Sequence, residues 1–190
     1  MFVREATQDA WIDQGKPTQN KGTDTGLRVK AQVGSVRRSL VQFDLSGIPT
    51  AGCVESATLK MTLTSVKATS RSYAVHRLDS LWVEGSGSST SGVTWQRRTA
   101  TETWTTFGGD FAPSTTTPAP TAATSGSVMQ WDVKADVQAF LDGTFNNYGW
   151  IVKDKDESVN AEFVFASSEN GTVSKRPRLE ITVVPGPCGP

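Results

Sequence analysis

Between Glu55 and Val66 the chain alternates without a break: Ala57, Leu59, Met61 and Leu63 are apolar, and Thr58, Lys60, Thr62 and Thr64 are polar. A period of two puts every second side chain on one face, so this segment is a strand with one buried and one wet side. A strand of that kind needs a second apolar layer to cover it. The same period recurs along the chain. Glu5–Asp13 carries Ala6, Ala10 and Ile12, and Leu27, Val29 and Ala31 begin another strand. RRSLVQFDL sets Val41, Phe43 and Leu45 on one face. Tyr73–Leu81, Glu162–Ala166 and Arg178–Val184 complete the flanking set.

Ser127–Ser158 reads as strand, short helix, strand. Met129, Trp131 and Val133 alternate; then Val133, Val137, Phe140 and Leu141 fall at i, i+4, i+7 and i+8, one face of a helix. Asp132 is placed to be its N-cap, and Gly143 supplies the left-handed residue past its end. Asn146-Asn147 then turns the chain into Tyr148, Trp150 and Val152. About nine strands with turn residues between them predict an all-β domain, a two-sheet jelly-roll sandwich with one short helix. We expect one domain over residues 1–184, with 185–190 (PGPCGP) a Gly/Pro linker stub. Residues 84–126 form a long Ser/Thr/Pro/Gly-rich connection, and loops of that length are functional or disordered. Trp95, Trp104, Phe107 and Phe111 are expected to peg it down.

Nineteen Lys and Arg balance nineteen Asp and Glu, so no basic field points to nucleic acid or an anionic membrane. No apolar run approaches the roughly 20 residues that span a bilayer, so membrane insertion is not expected. No signal peptide is visible; Met1 leads almost at once into strand-like sequence, which we read as a chain whose leader has been removed. Abundant Ser and Thr with modest Lys fit an extracellular β-protein. Cys53 opens the strongest strand and Cys188 follows the last one. If those strands pair antiparallel the thiols meet in a disulfide; otherwise they are two separate thiols, and both readings stand.

Several blocks occur in a fixed order: DAWIDQGKPTQNKG followed by LRV, RRSLVQFDLSGIP, VESATLKM, YAVHRLDSLWVEG, VTWQRR, WDVKADVQAFLDG, NNYGWIVKDKDES, FASSE and RPRLEITV. Together, from Asp9 to Val184, they resemble a DNRLRE-type domain, the group that includes the carbohydrate-binding modules of family ninety-six and the disaggregatase-related repeats. The resemblance implies a jelly-roll accessory module of a secreted or surface protein, without catalysis, that binds polysaccharide, in some members an acidic one such as alginate. This chain departs from the pattern in GSGSSTSG before VTW and in its Thr/Pro-rich insert, loops that would rim a sugar site.

The one histidine, His76, lies within a strand. No GxSxG, HExxH, P-loop or CxxC accompanies it, so we read it as structural. Paired acids held about 5–10 Å apart could hydrolyse a glycoside; Asp79 with Glu84, or Asp132 with Asp136, are the pairs available. Calcium is the better-supported group, as a structural ion. Jelly-roll modules often hold one, and it takes hard oxygen ligands from neighbouring loops. Asp154, Asp156 and Glu157 cluster in KDKDES, the first loop carries Asp13, Asn20 and Asp24, and Asp9 opens the family pattern; we take Asp9, Asp24, Asp154 and Asp156 as the candidate ligands. A solvated acidic turn neutralised by Lys153 and Lys155 is the alternative for KDKDES.

Sugars are held by aromatic faces and polar forks, and acidic sugars add Arg or Lys. Trp131 and Trp150 follow the inward period and Trp95 fits a sandwich edge. Trp11, Trp82 and Trp104 are therefore the candidate stacking residues, with Arg37, Arg38 and Arg71 as candidate basic partners and Arg97 and Arg98 in reserve. The first expectation is a polysaccharide-binding module. The rival from another class is a structural or adhesive surface domain working through protein contacts.

Overall fold

The alternating segment becomes the longest strand of a computed structural model that describes residues 1–67, 71–113, 124–186 and 188. Its strands are β1 (Phe2–Asp13), β2 (Gly26–Ala31), β3 (Arg37–Phe43), β4 (Gly52–Val66), β5 (Tyr73–Arg77), β6 (Val128–Asp132), β7 (Trp150–Asp154), β8 (Ala161–Ala166) and β9 (Arg178–Pro185). The α-helix α1 (Lys134–Leu141) sits between β6 and β7. Among the described residues the fold is all-β, with nine strands and one short α-helix, as the periodicity indicates.

The strands meet differently from two separate sheets. β1 pairs with β9 along Phe2–Glu5 and with β3 from Ala6 to Asp13, with an irregularity between Ala6 and Gln8. β4 pairs with β9 along Gly52–Lys60, then with β8 from Leu63, with a second irregularity between Leu63 and Ser65. Such bulges bend a long strand and let it serve two layers. The hydrogen bonds therefore close a six-strand ring, β1–β9–β4–β8–β2–β3, with β7 and β5 added beyond β3 and β6 added on β4. A jelly-roll sandwich would leave its two sheets touching through side chains; here the two long bent strands join the layers.

The ring is filled by Ala57, Leu59, Met61 and Leu63 from β4, with Phe163 and Phe165, Leu179 and Ile181, and Trp131 and Trp150, all at most 1 % exposed. α1 covers this core with Val137, Phe140 and Leu141. Its first turn corrects one expectation. Val133 is the N-cap, and Asp132 instead closes the turn just before the helix by accepting from the Lys134 N–H at 2.9 Å. Gly143 takes the left-handed conformation expected of it, with φ +72°.

β5 ends at Arg77, short of the expected Leu81. From there the chain changes partner: Leu78 donates to the Gly149 carbonyl at 3.0 Å and pairs with Phe111, and Asp79 donates to the Asp110 carbonyl at 3.0 Å. The long connection is thus drawn against the ring. A second apolar cluster of Leu78, Trp82, Val93, Trp95 and Trp104 packs on Ile12 and Leu40 beneath it. Trp95, Trp104 and Phe111 do peg the loop, while Phe107 is 54 % exposed and does not. The Thr/Pro-rich insert at 114–123 lies outside the described residues. At the other end, Cys188 is disulfide-bonded to Cys53, and Pro185 of the expected stub still belongs to β9.

The outer face of β8 carries a charge cluster. Glu162 receives Arg37 at 2.6 Å, Lys67 at 2.8 Å and Arg28 at 3.1 Å. Burial works against the charged carboxylate, but the three cations outweigh it and hold its pKa at about 2, below the ordinary 4.5. A depressed carboxylate contributes stability that is complete above pH 4.5 and lost as pH falls towards 2. Melting temperature will fall across that window, and Glu162→Gln will flatten the fall while lowering the melting temperature at neutral pH. A thermal melt series from pH 7 to pH 2 reads both effects.

Candidate functional site

Where β5 gives way to the loop, a shallow groove of about 530 Å³ opens between Arg38, Asp79, Ser80, Phe107, Asp110 and Phe111. Its walls are pinned. The Asp110 carboxylate accepts the backbone N–H groups of Thr105 and Thr106 at 2.9 and 2.8 Å and the Ser80 hydroxyl at 3.2 Å. This folds the turn that lifts Phe107 into solvent. The two glycines after Phe107 have φ +94° and +113°, a conformation that suits residues without a Cβ. Arg38 spans the floor. It grips Glu157 with two bonds of 2.8 and 2.7 Å, donates to the Gly108 carbonyl at 2.7 Å, and lies over the Trp95 and Phe111 rings.

Asp79 is shared with a smaller hollow of about 160 Å³ lined by Arg77, Thr144, Phe145, Asn146 and Tyr148. Arg77 donates to Asp79 at 3.1 Å, and its guanidinium lies 3.5 Å from the Phe145 ring centre. Phe145 is 43 % exposed. The two hollows share the Asp79 carboxylate, each has an exposed ring in its lining, and their guanidiniums are already engaged. Such a surface can stack on the apolar face of a pyranose and accept hydrogen bonds from its hydroxyls.

A second constellation lies on other elements. Asp9 of β1, Glu84 of the loop after Trp82, and Glu169 just after β8 bring carboxylate oxygens within 4.8 Å of one another. Asp9 is 1 % exposed; its Oδ2 accepts the Ser168 N–H at 2.7 Å, and its Oδ1 has no partner. Glu84 Oε1 accepts the Asp9 N–H at 2.8 Å. Glu169 Oε1 accepts the Ser168 hydroxyl at 2.7 Å, while its buried Oε2 has no partner. Burial, reinforced by the charges of Glu169 and Glu84, pushes the Asp9 carboxyl up to about 8 against the Ser168 hydrogen bond. Burial and Glu169 push Glu84 to about 7.

The loop that delivers Glu84 is held by Asn20, which is 3 % exposed. Its amide donates to the carbonyls of Glu84 and Val93 at 2.5 and 2.8 Å, and its oxygen accepts from Gly22 and Gly87 at 3.2 and 2.8 Å. The backbone approach is close: a Cβ on Gly22 would lie 2.5 Å from the Glu84 carbonyl oxygen. The GSGSSTSG stretch is therefore shaped by contact at its base.

The residues singled out from sequence are placed elsewhere. Trp11, Trp82 and Trp104 are 4, 1 and 2 % exposed, so none offers a ring face to a sugar. Each indole N–H is bound, Trp11 to Asp24 at 2.8 Å, Trp82 to the Tyr148 carbonyl at 2.9 Å and Trp104 to the Thr94 carbonyl at 3.0 Å. Arg37 pairs with Asp13 and Glu162, and Arg71 grips Asp154 at 2.6 and 3.0 Å. Arg97 and Arg98 bond the carbonyls of Ala100 and Leu81. Of the chosen arginines, Arg38 lines the groove.

Of the four acids chosen for calcium, Asp9 lies in the carboxylate trio. Asp24 holds Trp11, Asp154 holds Arg71, and Asp156 accepts the Ser158 N–H and hydroxyl. The aspartates of KDKDES thus bind the protein's own donors. The acids of the two hydrolytic pairs have partners of their own: Glu84 lies with Asp9 and Glu169, and Asp136 accepts the buried Trp150 indole N–H at 2.8 Å. His76 bonds the Ala112 carbonyl through Nδ1 at 2.9 Å, and burial lowers its pKa. Glu169, in FASSE, was legible as an acid placed just after a strand, and Glu84, in WVEG, as an acid in the long connection beyond β5, positions that often carry function. Phe107 carried a signal too, an aromatic before two glycines in a polar loop.

A family model described as carbohydrate-binding module family 96 matches residues 1–183 of the 190-residue chain. The comparison with curated proteins gives no match. Among the described residues no helix is long and apolar enough to cross a membrane.

Proposed function

This chain belongs to carbohydrate-binding module family 96, and from that premise we propose that it is a non-catalytic module that holds a polysaccharide in the groove between Phe107 and Phe145. The observation that carries the reading is Phe107, an aromatic ring 54 % exposed at the lip of a pinned polar groove. An exposed ring on a loop costs hydration energy that stacking on a sugar face recovers. Because Asp110, Arg38 and Asp79 already have partners, the groove needs little ordering on binding, which favours affinity.

The charges also bear on the ligand. Arg38 and Arg77 are matched by Glu157 and Asp79, so neither of these two guanidiniums is left free for a uronate. Asp79 keeps an accepting oxygen in solvent, its side chain being 46 % exposed. A neutral, hydroxyl-rich polymer fits this balance better than an alginate-like one. A polymer too large to enter a cell places the module outside it, as part of a secreted or surface protein.

Affinity electrophoresis in gels containing hydroxyethylcellulose, glycol chitin, pectin or alginate tests the reading. The wild type is expected to be retarded by at least one polymer, a neutral one most strongly. Phe107→Ala will weaken that retardation about tenfold, the scale of a lost stacking contact. Free migration in every gel would support the adhesive alternative, and undiminished retardation of Phe107→Ala would put the sugar elsewhere.

A further inference from the structure

We propose that Asp9, Glu84 and Glu169 form a Ca²⁺ site that ties β1, the loop after Trp82 and the turn after β8 together. The inference does not rest on sugar binding; it rests on two unpartnered buried oxygens aimed into an acidic cluster. Asp9 Oδ1 and Glu169 Oε2 have no hydrogen-bond partner, and Asp9 is 1 % exposed. Among the described residues no ion pair involves any of the three acids.

Buried carboxyl oxygens are nearly always satisfied, and three like charges this close repel unless something positive lies between them. The separations suit one ion. Oxygens that bind a common Ca²⁺ at 2.3–2.6 Å are at most about 5 Å apart, and the three carboxylates lie within 4.8 Å. All three donors are hard anionic oxygens, with no imidazole or thiolate to favour zinc. Calcium also suits the site better than magnesium. Mg²⁺ keeps several waters and demands an octahedron, whereas Asp9 is shut away from solvent and the donors come from three unrelated segments.

The free oxygens are the ones left over once each acid has been oriented. Ser168 holds Asp9 by Oδ2 and Glu169 by Oε1, and the Asp9 N–H holds Glu84 by Oε1. The cluster is therefore positioned by the backbone before any ion arrives. An ion there would fix the base of the loop spanning Trp82 to Val93, whose other anchor is Asn20.

The test is calorimetric titration of the chelator-treated 190-residue chain with CaCl₂, alongside thermal melts in EDTA, 1 mM Ca²⁺ and 1 mM Mg²⁺. We expect one Ca²⁺ per chain and a melting temperature raised by about 5–10 °C in calcium, as for a ligand near one hundred times its dissociation constant. Magnesium is expected to do less. Asp9→Asn and Glu169→Gln keep the size of these side chains and one acceptor oxygen each, which suffices for the bond each accepts from Ser168. Both should lose the calcium shift, and in EDTA Asp9→Asn should melt at or above wild type because an amide there cannot ionise beside Glu84 and Glu169. That reversal of order between EDTA and calcium is what a merely structural role would not produce. No heat of binding and no shift in the wild type, or an undiminished shift in Glu169→Gln, would overturn the proposal.

Discussion

Gly149→Ala will lose more than about 4 kcal/mol of stability, an exceptional figure for the addition of one methyl group. Gly149 sits just before β7 with φ +75°. A Cβ there would overlap the Val41 carbonyl oxygen and lie 2.8 Å from Gln42 Cα, both backbone atoms of β3 that cannot swing aside. The residue is also tied in place: its N–H donates to Asn147 Oδ1 at 3.1 Å and its carbonyl accepts the Leu78 N–H at 3.0 Å. Relieving the overlap would pull apart β3, β7 and the end of β5 together. Gly143 is the control. It has a similar φ of +72° but nothing within 4 Å of the added atom. Gly143→Ala should cost only the left-handed penalty, about 1–2 kcal/mol. Urea unfolding of the two variants reads the difference, and equal costs would mean that backbone strain alone is at work.

Opening the Cys53–Cys188 bond has the other large effect, through the unfolded chain. The bond closes a loop of 135 residues, for which the chain-entropy model gives about 5 kcal/mol. The folded state needs it little, because Gly52–Lys60 of β4 already pairs with Pro185–Arg178 of β9. Replacing both cysteines by serine should lower the melting temperature by roughly 10–20 °C for a chain of this size. The folded circular dichroism spectrum should be unchanged. An unmoved melting temperature would show that the unfolded chain already keeps these segments together.

The strands were readable because their signal is local: Ala57 to Leu63 alternate within one segment, and the turns between strands carry Gly, Asn and Pro. Ring closure was not readable. It depends on bulges near Ala6 and Leu63 that let two strands pair on both sides of a corner, and a bulge leaves no apolar pattern. The tryptophans misled for a related reason. Trp82 and Trp104 show no period because they lie in a loop, yet the loop folds back on Ile12 and Leu40 and makes a core of its own. Loop position does not imply exposure. The acids show the converse error. KDKDES concentrates charge in sequence, but Arg71 and the Ser158 hydroxyl and N–H take it up. Asp9, Glu84 and Glu169 are far apart in sequence and converge only through the fold.

The central claim is that sugar is held at the surface shared by Phe107, Asp79 and Phe145. Titrating isotope-labelled protein with soluble oligosaccharides of the polymer that retards it, and following backbone amide shifts, tests this directly. The account predicts shifts concentrated at residues 77–80, 105–111 and 144–148. Shifts concentrated around Trp11 and Asp24, with those three segments unmoved, would contradict it.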